Sequence, residues 1–125
     1  MHLIHHNPSE PPLVTAPVVS GAVWLRELVG AEQSTQLRVF FVRFEPGGRN
    51  LLHTHSFDQV LYILEGEGIV ATETEEYPVR PGDLVVVPAG ELHWHGATAE
   101  TAMAHLAFGI PGTTDVGGMP YRQTE

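Results

Sequence analysis

The feature that most restricts the fold is the punctuation of the chain. Short β-branched and aromatic runs are each closed within a few residues by a turn containing Gly or Pro. The run LRVFFVRF at 37–44 reads as a long buried strand, with Phe40, Val42 and Phe44 on one face and Leu37, Val39 and Phe41 on the other. An EPGG turn follows. Further strands are expected at 21–29, 60–64, 69–73, 77–79, 84–87, 92–95 and 102–109, separated by turns such as EGEG, RPGD and PAG. No stretch keeps a helical period over three turns. Many short strands between such turns point to an all-β sandwich or barrel in a single domain. The chain divides into an arm over 1–20, a barrel over 21–110 and a tail over 111–125. Pro8, Pro11, Pro12 and Pro17 keep the arm out of helix interiors and sheet centres, so an edge strand lying on a partner subunit is expected. The Gly- and Thr-rich tail reads as a loose cover or a dimer contact.

The eight histidines are unevenly placed. His2, His5 and His6 fall on the arm and read as a solvated terminus. His53 and His55 are two residues apart, as are His93 and His95, and alternate side chains of a strand share a face. Each pair therefore leans into one space, as a divalent metal requires. His105 joins them if its strand faces inward with Met103 and Ala107. Trp94, of opposite parity, belongs between the sheets.

Composition narrows the partners. With 6 Lys+Arg against 15 Asp+Glu the net charge is −9, which disfavours nucleic acid and anionic membranes. No cysteine is present, so a disulfide framework, a thiol nucleophile and a Cys-based zinc site are excluded. Neither a signal peptide nor a membrane span is read, and a cytoplasmic location is expected.

The anchors Gly47, His53, His55, Gln59 and Gly66 match the first cupin motif, G(X)5HXH(X)3–4E(X)6G, with Gln in place of Glu. Gly82, Pro88, Gly90 and His93 match the second, G(X)5PXG(X)2H(X)3N, with Ala97 in place of Asn. The chain thus resembles the cupins, which implies a double-stranded β-helix, or jelly roll, with a metal in the barrel mouth. The resemblance also implies a homodimer or higher oligomer that exchanges N-terminal strands. His53, His55, Gln59 and His93 are the expected ligands of one divalent transition metal. Imidazole and carboxamide donors suit Mn, Fe, Co, Ni, Cu or Zn.

The segment HWHGATAETAMAHLAF and the FEPG at 44–47 are similar to the small manganese-binding cupins that include bacterial hydroxynitrile lyases. That likeness favours manganese and implies acid–base roles for His95 and His105. Phe40, Val42, Phe44, Met103 and Ala107 are expected to line a small-molecule pocket, which the bulk of Phe40 narrows. Gln59 in place of Glu leaves the metal its full double positive charge, so it is a stronger Lewis acid. The expected activity is a lyase of cyanohydrin type, with the substrate hydroxyl on the metal and a histidine base. Alternatives are an oxygen-dependent enzyme cleaving C–C bonds, and a non-catalytic module binding a small ligand through the metal.

Overall fold

The computed structural model describes residues 1–7, 19–116 and 119–122. The exchanged arm expected from the proline-rich segment lies largely at 8–18, outside these residues. Among the described residues thirteen strands follow one another: β1 (Val19–Ser20), β2 (Val23–Val29), β3 (Arg38–Phe44), β4 (Arg49–Asn50), β5 (Thr54–His55), β6 (Gln59–Gly66), β7 (Gly68–Ala71), β8 (Glu76–Val79), β9 (Leu84–Val87), β10 (Trp94–Ala97), β11 (Met103–Gly109), β12 (Thr113–Val116) and β13 (Met119–Arg122). They form a five-stranded sheet ordered β2-β3-β11-β6-β9, a second ordered β1-β4-β10-β7-β8, and a small third ordered β13-β12-β5. The two large sheets enclose the core of a jelly roll. The described residues include no helix long and apolar enough to cross a membrane.

The alternation read from the sequence sets which side chains face inward. In the first sheet Val42 stands opposite His105, which stands opposite Ile63; Phe40, Ala107 and Leu61 form the next row, and Phe44 opposes Met103. From the second sheet Val70 and Ala97 close the same core. His95 pairs in register with Val70, so it projects from that sheet toward the first. Turn geometry explains why the motif glycines keep their spacing. Gly47, Gly66, Gly82 and Gly90 all have positive φ, between 73° and 93°. At Gly66 a Cβ would also overlap the Ala102 carbonyl oxygen, so no side chain fits.

Several local expectations are revised. The strand expected at 69–73 ends at Ala71, because the Thr72 hydroxyl accepts the amides of Thr74 and Glu75 and turns the chain. The strand expected at 92–95 is shifted to Trp94–Ala97, with His93 held instead by an isolated bridge to His53. His6 is not simply solvated, since its ring lies 4.3 Å from that of Phe41 on the outer face of β3. Toward the C-terminus β12 pairs antiparallel with β13 on one side and with β5 on the other.

The outer face of the first sheet is also apolar. Val60 and Tyr62, Leu106 and Phe108, and Leu84 and Val86 lie outward in register across β6, β11 and β9. Leu84 and Val86 remain 64% and 66% exposed.

Candidate metal centre

The two histidine motifs meet through backbone pairing. The His53 amide donates to the His93 carbonyl and the His93 amide to the His53 carbonyl, both at 3.0 Å. Residues so paired place their side chains side by side, and the two rings lie 4.3 Å apart. His55, two residues on, brings its ring to 4.8 Å from His53 and 5.3 Å from His93. One nitrogen from each of the three lies within 4.8 Å of the others, and all three residues are buried. The turn between β9 and β10 is locked to this segment: the Gly90 amide donates to the His55 carbonyl at 2.9 Å, and the Ala89 amide to an Asp58 carboxylate oxygen at 2.9 Å.

Hydrogen bonds at the far side of each ring set the tautomers. His53 Nδ1 lies 2.6 Å from the Leu51 carbonyl and His93 Nδ1 2.9 Å from the Glu91 carbonyl. A carbonyl can only accept, so both rings carry hydrogen on Nδ1 and keep a lone pair on Nε2. His55 Nδ1 meets the Thr114 hydroxyl at 2.9 Å instead. His55 Nε2, His93 Nε2 and Gln59 Oε1 are buried with no hydrogen-bond partner among the described residues. Buried acceptors are rarely left so, and a cation among them would satisfy all three at once. The donor chemistry fits a divalent transition metal, and His53, His55 and His93 are able to hold one.

Electrostatics favour the ligand form of each ring. Burial, reinforced by the neighbouring His93, pushes the His53 pKa down to about 4, against the pull of the Leu51 carbonyl. Burial, then His53 and His93, lowers His55 to about 3, while the Gln59 carboxamide beside it pulls the other way. Burial also lowers His93. All three are neutral at pH 7, as metal ligation requires.

His95 and His105 sit immediately beneath. The His95 ring lies 5.7 Å from His53 and 5.6 Å from His93. His105 Nε2 and His95 Nδ1 share a hydrogen bond of 3.1 Å, one of them donating. Burial chiefly holds both neutral: His95 falls well below its ordinary value, with His105 adding to the effect, and His105 falls to about 4. Phe44 packs edge-on against His95 and tilted against His105, at 5.8 and 5.4 Å.

Among the expected pocket residues, Phe40 and Ala107 border a cavity of about 10 Å³ beside Gln59, closed by Phe57 and Arg38. This is about the space of one water. Val42, Phe44 and Met103 are packed into the apolar core. A larger cavity, about 540 Å³, lies at the opposite end of the barrel between Glu67, Val79, Arg80 and Thr98, away from the histidines. Trp94 is 9% exposed and carries the Arg49 guanidinium 3.8 Å over its ring.

Two residues at the site were not singled out from the sequence. Thr114 reaches it from β12, in a Gly- and Thr-rich segment with no apolar alternation to mark a strand. Arg38 sits on the inward face of β3 at the mouth, with its Nη1 held at 2.8 Å by the Ser34 and Leu37 carbonyls. Its parity with Phe40 was the available signal.

The comparisons agree with this architecture. A family model described as a cupin domain matches residues 40–109. The (R)-mandelonitrile lyase of Granulicella tundricola is 41% identical over 92 residues, covering 71% of this chain and 69% of that protein. The acireductone dioxygenase of Microcystis aeruginosa is 32% identical over 78 residues, covering 58% of this chain and 41% of that protein. Among solved structures, a cupin-like protein from Thermotoga maritima superposes with a TM-score of 0.76 at 27% identity, covering 82% of this chain and 80% of that one. The chain belongs to the cupin domain family.

Proposed function

We propose that this cupin is a metal-dependent lyase that cleaves small cyanohydrins, with His53, His55, Gln59 and His93 holding one divalent ion, manganese first among the candidates. The observation that carries the reading is the His95–His105 pair. Two neutral, hydrogen-bonded imidazoles are buried against the ligand cluster without belonging to it. The likeness to a mandelonitrile lyase supports the same reaction class.

When bound, the ion supplies Lewis acidity for the substrate hydroxyl at four neutral ligands. His95 Nε2, buried and without a hydrogen-bond partner among the described residues, accepts the hydroxyl proton. His95 then donates from Nδ1 to His105 Nε2, which spreads the imidazolium charge. The C–C bond breaks, its electron pair leaves on cyanide, and the proton held on His95 passes to that cyanide. Aldehyde and hydrogen cyanide are the products. Loading the protein with Mn2+ and following aldehyde release from racemic mandelonitrile without oxygen tests this. Turnover under anaerobic conditions is expected; turnover that needs oxygen contradicts it and favours oxidative C–C cleavage. The relative named acireductone dioxygenase is the observation behind that second reading.

Phe40 limits substrate size, because it walls the small cavity of about 10 Å³ beside Gln59. Phe40→Ala is therefore expected to raise kcat/KM for aromatic cyanohydrins by about tenfold, through avoided overpacking of roughly 1–3 kcal/mol. Equal or lower kcat/KM in steady-state kinetics would remove Phe40 from the pocket.

Two copies are taken to pack through the outer face of the β2-β3-β11-β6-β9 sheet. A sheet apolar on both faces is normally covered on both. Replacing Leu84 and Val86 together by lysine is expected to turn a dimer into a monomer by light scattering, with metal content unchanged. A wild-type protein that is already monomeric at micromolar concentration rules the interface out.

A further inference from the structure

We infer that the C-terminal strand β12 is a working part of the metal centre: Thr114 fixes the tautomer and tilt of His55, so that metal binding and the docking of residues 113–116 are coupled. This rests on the reading of His53, His55, Gln59 and His93 as a ligand set.

The three imidazoles are not supported alike. His53 and His93 each hydrogen-bond a carbonyl two residues earlier in their own segment, so their tautomers are set locally. His55 depends on a residue 59 positions away. Its partner is a hydroxyl, which can donate as well as accept. Only with Thr114 Oγ1 accepting from Nδ1–H does His55 keep its Nε2 lone pair for a metal. Thr114 is 1% exposed, so water does not readily replace it.

The backbone repeats the dependence. β5 is two residues long, and among the described residues its neighbour in the small sheet is β12. Thr114 pairs in register with His55 and Asp115 with Thr54. The Ser56 amide donates to the Thr113 carbonyl at 3.0 Å, and the Thr113 amide to the Ser56 hydroxyl at 2.9 Å. His55 is thus gripped by β12 through both side chain and main chain. The family match ends at residue 109, so this grip comes from outside the matched segment. Whatever orders β12 orients His55, and by linkage whatever holds His55 in its ligating form stabilises β12.

Mn2+ titration by calorimetry on the full chain tests the inference, with Thr114→Val, Thr114→Ser and His93→Ala compared. Loss of an outer partner of this kind weakens metal binding by about 10- to 100-fold. Thr114→Val is expected to show that loss, and Thr114→Ser, which restores the hydroxyl, to recover most of it. Amide exchange in the wild type is expected to slow at 54–56 and 113–116 on adding Mn2+. That arm still decides if Thr114→Val fails to fold. Wild-type affinity in Thr114→Val, or unchanged exchange at 113–116 while Mn2+ binds, overturns the coupling. If His93→Ala also binds Mn2+ as the wild type does, the ligand set itself is wrong. If His93→Ala loses the metal and Thr114→Val keeps it, only the coupling is wrong.

Discussion

His95→Ala and His105→Ala are each expected to keep the metal and lose turnover, by about 10²- to 10⁴-fold, the range for removal of a positioned acid–base group. The two side chains share one hydrogen bond and neither belongs to the three-histidine cluster. Their effects should therefore fall on kcat and leave bound Mn2+ at the wild-type level. The double variant should cost little more than the worse single one, because residues acting as one unit are not additive. Both rings are buried and packed on Phe44, so thermal unfolding must be measured alongside. A stable, metal-loaded His95→Ala/His105→Ala protein with full cyanohydrin cleavage would end the proposed mechanism.

The metal-free protein is expected to unfold in mild acid. His53 and His55 have folded pKa values of about 4 and about 3, below the ordinary 6.5. A histidine with a depressed folded pKa binds its proton more readily in the unfolded chain. Its contribution is therefore complete above about pH 6.5 and is lost as pH falls toward the folded value. At about 1.4 kcal/mol per pKa unit, these two residues together remove several kcal/mol. That is comparable with a total stability of roughly 5–15 kcal/mol. The circular-dichroism midpoint of chelator-treated protein should fall between about pH 6.5 and 4. Mn2+ holds the rings neutral and should move that midpoint to lower pH. A metal-free protein still folded at pH 3, or a midpoint indifferent to Mn2+, contradicts the buried-histidine account.

What could be read from the sequence follows from how local each signal is. The barrel strands show because period-2 alternation places Phe40, Val42 and Phe44 on one face whatever lies across from them. The candidate site shows because Gly47, Gly66, Gly82 and Gly90 are required by positive-φ turns, which hold His53, Gln59 and His93 at fixed offsets. Thr114 could not be read this way. Its role depends on a pairing between β12 and β5 across 59 residues, and a hydroxyl in a Thr-rich run carries no periodic mark. The contact of His6 with Phe41 was hidden for the same reason, since nothing near His6 announces where it folds back. The shift of the His93 segment is subtler. His93 pairs with His53 as an isolated bridge, and the continuous ladder with β7 starts only at Trp94.

Anomalous scattering from a crystal of the manganese-loaded protein tests the central claim most directly. One peak is expected, bonded at about 2.0–2.3 Å to Nε2 of His53, His55 and His93 and to Oε1 of Gln59. A metal bound elsewhere, or these four side chains turned away from it, would contradict the account.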